Sequence, residues 1–207
     1  MKTLTVKLTL QEGMLGTSPA NPDIYSDFIG SNAPDAATLQ DEIEALGVNA
    51  VTEKGRTIFP RLEDGTPFVY DYQIKGFFKD ACGVLRYIPS SKSKALTSYK
   101  KKIDGLVFVY PRKIPIVLSG EITDCSRPLR AQTAQGERVS LASSDEVPAG
   151  STLTFDVELM DDGMEKTLLE WLDYGKKRGL GQWRNSGKGR YLFELFDENG
   201  EKIGGNR

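Results

Sequence analysis

The chain has 207 residues, 39% of them hydrophobic and 27% charged, with a formal net charge of −2. That balance excludes a disordered chain, and no apolar run approaches the roughly 20 residues of a membrane-spanning helix. There is no histidine and there are two cysteines, Cys82 and Cys125, which removes imidazole catalysis, most zinc sites and a disulfide scaffold, and fits a reducing, cytoplasmic setting.

In chain order, residues 3–10 (TLTVKLTL) alternate Thr or Lys with Leu4, Val6, Leu8 and Leu10, the period of a half-buried strand in an intracellular protein rather than an apolar leader. Residues 11–34 are rich in Gly, Pro, Asn and Ser and read as an irregular connection. Pro34 and Asp35 then open a helix presenting Ala36, Leu39, Ile43 and Leu46, ended by Gly47. Its acidic outer face marks it as an insertion. Residues 67–72 predict a short strand, and 74–86 a helix with Phe78, Ala81, Cys82 and Leu85 inward, which leaves Lys75, Lys79 and Arg86 off the apolar face.

Residues 87–104 read as a Ser/Lys-rich loop carrying Lys92, Lys94, Lys100, Lys101 and Lys102, followed by strands within 105–110 and 113–123. Pro115 makes the second an edge or bulged strand. Residues 124–150 suggest an exposed hairpin or arm bearing Arg127, Arg130 and Arg138. STLTFDVELM (151–160) is an alternating strand with Leu153, Phe155, Val157 and Leu159 inward. Asp162 can cap a helix presenting Met164, Leu168, Trp171 and Leu172, which Gly175 ends, and YLFELF (191–196) is the last strand. The fold class is α+β: a ferredoxin-like, RRM-like β-α-β-β-α-β core with an inserted helix and a β-hairpin arm. One domain over residues 1–207 is expected, with the insertion at about 17–64 and the arm at about 124–150.

Charge is segregated along the chain. Residues 21–64 carry 3 Lys/Arg against 9 Asp/Glu, 65–138 carry 13 against 6, 139–173 carry 1 against 9, and 174–191 carry 6 against 0. A molecule with a basic face for polyanions and an acidic face elsewhere follows. The last block, YGKKRGLGQWRNSGKGRY, is not a phosphate loop of known pattern. Gly181 and Gly187 are one residue too far apart for a P-loop, Gly189 stands where Ser or Thr is needed, and Arg184 breaks the dinucleotide pattern begun by Gly179 and Gly181. What remains is a glycine-rich connection in which the backbone can approach a partner, Lys and Arg neutralise phosphates, and Trp183 offers a stacking surface. The alternative is a solvated turn with Trp183 folded into the core.

The segment LLEWLDYG leading into Gly175-Lys176-Lys177-Arg178-Gly179-Leu180-Gly181 and then a strand resembles the glycine-rich loop of the RAMP superfamily, the repeat-associated RNA-binding proteins of CRISPR systems. Ile74-Lys75-Gly76-Phe77-Phe78-Lys79 is similar to that family's Leu-Lys-Gly-x-x-Arg segment, and Val147-Pro148-Ala149-Gly150-Ser151 with Phe155 to its Pro-x-Gly-Ser approach to a strand. The matches follow the family's order over residues 70–195. Tyr70-Asp71-Tyr72-Gln73 replaces the family's usual Pro-Gly-Ser-Ser.

The resemblance implies a non-catalytic binder of single-stranded RNA, or DNA, that forms homo-oligomers along the strand or joins other CRISPR subunits, with no cofactor, no metal and no membrane partner. Lys75, Lys79 and Arg86 on the first helix would meet the phosphate backbone. Lys176, Lys177, Arg178, Trp183, Arg184 and Lys188 would form the opposing loop, and Arg127, Arg130 and Arg138 a thumb-like hairpin. The arginines of that hairpin could equally pair with Asp124, Glu137 or a neighbouring subunit. Two other readings stay open: a protein-interaction module that caps or inhibits a CRISPR complex, and a metal-dependent ribonuclease using Asp23, Asp27 or Asp35.

Overall fold

The computed structural model describes residues 1–20, 55–133 and 136–205, with side chains described outside 129–140. The expected inserted helix beginning at Pro34, and Asp23, Asp27 and Asp35, lie outside the described residues. Contacts divide the chain into two units, one of Met1–Met14, Pro60–Glu121 and Val147–Arg207, the other of Leu15–Phe59 and Ile122–Glu146.

The first unit is built on β1 (Lys2–Leu10), whose inward Leu4, Val6, Leu8 and Leu10 are all at most 2% exposed. Strand β10 (Thr152–Leu159) lies antiparallel on one side of it and β11 (Tyr191–Phe196) on the other. Strands β6 (Val107–Tyr110) and β7 (Lys113–Val117) share the far side of β10, and β5 (Phe68–Tyr70) and β12 (Lys202–Gly205) extend the sheet at its two ends. Helix α1 (Asp71–Leu85) packs on β6 and helix α3 (Glu165–Arg178) on β11, with α1 and α3 touching. The fourth core strand thus pairs the first, the first pairs the third and the third pairs the second. That is the ferredoxin-like order, with both helices on one face.

Four local expectations are corrected. Residues 99–106 are not loop but helix α2 (Tyr99–Leu106), anchored on α1 by Ile103, fully buried among exposed lysines. One apolar anchor is too few to make a helical period visible. The preceding 3-10 turn, Lys92–Ala95, is fixed by Glu170 of α3. That carboxylate accepts from Ser91 Oγ at 2.8 Å, Ser93 Oγ at 2.7 Å and the Lys92 N–H at 2.9 Å, and Trp171 Nε1 donates to Ser93 Oγ at 2.9 Å. Burial pushes the Glu170 carboxyl up, but these hydrogen bonds outweigh it and hold the group below its ordinary range.

Strand β7 is not an edge strand, because β5 pairs one side and β10 the other. Pro115 fits because its neighbour Ile116 donates to Pro67 on the β5 side at 2.8 Å. The proline nitrogen therefore faces β10, where pairing begins only at Ile116. The side chain capping the turn into α3 is that of Asp161, which accepts from Gly163 N–H at 2.9 Å, rather than Asp162.

Helix α3 does not stop at Gly175 but runs on to Arg178. Gly175 is buried where Tyr191 crosses the helix, and a Cβ there would stand 2.0 Å from the Tyr191 ring and hydroxyl. The helix ends at Gly179, whose φ of +74° an L-residue adopts only with strain. Tyr191 is fully buried, and its phenol is held well above its usual pKa first by burial and then by Asp173.

The second unit holds a long hairpin of β8 (Thr123–Thr133) and β9 (Gly136–Val147), antiparallel from Thr123↔Glu146 to Thr133↔Gly136. Strand β9 also pairs β2 (Met14–Leu15) and β4 (Thr57–Ile58), and β4 pairs β3 (Ser18–Pro19).

Gly76 of α1 and Gly175 of α3 differ in surroundings. Gly175→Ala is expected to destabilise the protein by about 2–3 kcal/mol, because the added methyl must displace a buried ring. Gly76→Ala on α1, where a Cβ meets nothing within 4 Å, is expected to stabilise by about 0.5–1 kcal/mol. Urea denaturation of both variants checks the pair, and equal effects would contradict the helix path through Gly175.

Candidate nucleic-acid interface

The last turn of α3 carries Lys176, Lys177 and Arg178, where cations also oppose the partial negative charge of the helix end. Lys176 and Lys177 are exposed. Beyond Gly179 the chain folds back on itself: Leu180 N–H donates to Gly189 O at 2.9 Å and Gly189 N–H to Gly13 O at 2.8 Å. The approach is so close that a Cβ on Gly179 would lie 2.3 Å from the Lys188 carbonyl oxygen, and one on Gly189 1.9 Å from that of Leu180. These glycines therefore serve backbone contact within the loop.

Trp183 starts a 3-10 turn, Arg184–Ser186, with φ +54°, and is 42% exposed. The buried tryptophan of the fold is Trp171, at 0%, so Trp183 is not folded into the core. Lys188 is half-buried and Arg190, counted in the basic block but not singled out by sequence, is exposed.

The two arginines of the segment share one carboxylate. Arg178 Nε and Arg184 Nη1 donate to Asp80 Oδ2 on α1 at 3.1 and 3.0 Å, and Arg178 Nη1 donates to Asn185 Oδ1 at 2.8 Å. Each of the three charged side chains is about 30% exposed. Asp80 thus ties the end of α3 and the loop to α1. No sequence pattern could have paired it with residues 98 and 104 positions away.

The lysines of α1 are also engaged. Lys79 pairs with Asp104 of α2 at 2.5 Å, and Lys75 Nζ donates to the Asp104 carbonyl at 3.0 Å while lying 4.9 Å from the Phe108 ring centroid. Burial pulls the Lys75 ammonium below its ordinary pKa, against the attraction of Asp104. Arg86, just past the helix end, lies over the Tyr99 ring at 5.1 Å.

Of the hairpin arginines, Arg127 is 6% exposed and donates to Ser144 Oγ at 3.1 Å, inside the second unit. It is a sheet residue rather than an arm-surface one. Nearby, Arg56 pairs with Asp145 at 2.8 Å. Arg130 and Arg138 sit near the hairpin tip, opposite Val139 and Ala131.

The helix-free face of the first unit's sheet carries Thr3, Thr5, Lys7 and Thr9 of β1, Thr154, Asp156 and Glu158 of β10, and Glu194 of β11, with Thr5 donating to Asp156 at 2.7 Å. RRM proteins stack bases on aromatics at the equivalent strands, and β1 and β10 offer none there. A feature without a sequence signal lies beside the start of α1: Arg112 holds Asp71 at 2.9 Å and lies 5.8 and 5.5 Å from the stacked rings of Tyr70 and Tyr72. Among the described residues there is no group of three His, Cys, Asp or Glu side chains able to hold a metal ion, and no helix long and apolar enough to cross a membrane.

No protein-family model matches the chain, and no curated protein sequence matches it. Among solved structures it is similar to a chain in the cryo-EM structure of the type III-B Cmr-beta bound to cognate target RNA, with a TM-score of 0.50 and 11% identity. The match covers 99% of this chain and 60% of that one, so the chain spans less than two thirds of the length of that neighbour. The likeness is one of fold, and it is compatible with the ferredoxin-like arrangement of the first unit's core.

Asp80→Ala is expected to lower stability by about 1 kcal/mol and to speed amide hydrogen exchange across residues 180–190, since it strips two half-buried arginines of their shared acceptor. Asp104→Ala, whose carboxylate is more exposed, is expected to cost about 0.5 kcal/mol or less. Unchanged exchange in the loop of Asp80→Ala would contradict the anchoring role.

Proposed function

We propose that the chain is a non-catalytic binder of single-stranded nucleic acid, RNA in the first place, that works as a RAMP-type subunit along a strand. In this reading residues 1–207 act as a single RAMP-like domain, elaborated by the insertion near 17–64 and the arm near 124–150, and copies assemble head to tail. The observation that carries the reading is the cationic, glycine-rich surface where α3 ends, with Lys176 and Lys177 on the last helical turn and Arg190 and a half-exposed Trp183 on the anchored loop after it. The fold shared with a chain of a CRISPR complex bound to target RNA supports it.

The ion pairs divide the basic residues between two roles. Arg178 and Arg184 shape the loop through Asp80, and Lys75 and Lys79 fasten α1 to α2 through Asp104. By their place at the end of α3 and on the loop after it, we assign phosphate contact to Lys176, Lys177, Lys188 and Arg190, and base stacking to the exposed Trp183. A second reading, a module that docks on and caps a CRISPR complex, is favoured by the acidic, threonine-lined sheet face. In that case the purified protein would carry no nucleic acid.

Fluorescence-polarisation titration of a single-stranded RNA across a salt series tests the first reading. Four phosphate contacts predict a slope of log affinity on log salt of about −3, at roughly −0.7 per contact. Lys176→Ala/Lys177→Ala is expected to bring it to about −1.5. Trp183→Ala is expected to weaken binding by about 1–3 kcal/mol with the slope unchanged. Absence of binding by the wild-type protein at low salt would overturn the reading and favour docking.

A further inference from the structure

The lysine-rich segment after α1 is not used by the strand-binding surface, yet it lines a cleft of about 370 Å³ in the first unit. Lys92 of the 3-10 turn, Lys102 of α2 and Lys166 of α3 come from three different elements to its rim. None of the three ammonium groups makes an ion pair among the described residues. Asp161 is the one carboxylate of the lining, so the three ammonium groups outnumber it, and an anion between them removes the repulsion that remains. The turn that presents Lys92 is not a loose loop, because Glu170 holds the backbone N–H groups of both Lys92 and Ser93.

A second, independent observation sits in the cleft. Thr167 is only 5% exposed and lines it, and its hydroxyl makes no hydrogen bond among the described residues. The hydroxyl keeps contact with solvent at the cleft, where a ligand oxygen can take the place of water. Thr167 lies in the first turn of α3, where the helix end favours negative charge. The lining acid, Asp161, already accepts from Gly163 N–H at 2.9 Å. Leu96, Leu106 and Met164 supply an apolar wall, and Leu96 and Met164 are 9% and 5% exposed. The volume is at the lower end of that of small-molecule sites, which is about 300–1,000 Å³.

We propose that this cleft binds a nucleoside 5′-phosphate, with the phosphate among Lys92, Lys102, Lys166 and the Thr167 hydroxyl and the nucleoside against the leucine and methionine wall. The source is either a free mononucleotide or the phosphorylated 5′ end of a strand. The site is independent of the surface at the end of α3 and stands or falls separately from it.

Isothermal titration of the full chain with AMP and with inorganic phosphate tests the site. AMP is expected to saturate one site, with phosphate at least tenfold weaker. Lys92→Ala/Lys102→Ala is expected to weaken AMP at least tenfold and Thr167→Val several-fold, while Lys176→Ala/Lys177→Ala leaves AMP binding unchanged. A 5′-phosphorylated hexanucleotide that displaces AMP more effectively than its 5′-hydroxyl counterpart assigns the strand end. If neither displaces it, the ligand is the free nucleotide. No saturation by millimolar AMP, equal affinity for AMP and phosphate, displacement by both oligonucleotides to the same extent, or unaltered binding by both cleft variants would each overturn the proposal.

Discussion

The contact between Tyr191 and the backbone of α3 at Gly175 sets the geometry on which the basic surface depends. Because the ring occupies the space of a side chain, strand β11 can pass close beneath the helix without ending it. The helix then continues for three more residues, and the last of them, Arg178, reaches Asp80 on α1. Only with that reach does one carboxylate hold both Arg178 and Arg184, fixing the loop and its 3-10 turn Arg184–Ser186. A larger residue at position 175 would push apart the elements that the Asp80 bridge joins.

Much of the core was legible in the sequence, because burial there repeats with the period of its secondary structure. Leu4, Val6, Leu8 and Leu10 of β1 and Leu153, Phe155, Val157 and Leu159 of β10 alternate and are buried as read. The helix around Phe78 and Cys82 and that around Leu168 and Trp171 follow the same logic. Helix α2 was not legible, since Ile103 alone anchors it and its lysines look like a solvated loop. The run of α3 past Gly175 was hidden because glycine there meets a steric demand from a distant tyrosine, while local rules read glycine as a stop.

In the candidate site the composition was legible and the partnerships were not. The count of cations in residues 174–191 identified a segment, but it could not say which of them spend their charge within the fold. Asp80 and Asp104, both within a basic block, divide Arg178, Arg184, Lys75 and Lys79 from the cations that remain on the surface. A protein of net charge −2 can thus present a strongly positive surface locally. Arg127 shows the same limit, since its strand position was evident and its burial against Ser144 was not.

The most direct measurement is photo-crosslinking of the wild-type protein to a single-stranded RNA carrying 4-thiouridine, with the crosslinked peptides mapped by mass spectrometry. The account predicts that crosslinks concentrate in the peptides spanning residues 174–191, with Trp183 foremost. Crosslinks confined to the threonine and carboxylate face of β1 and β10, with none in that segment, would contradict it.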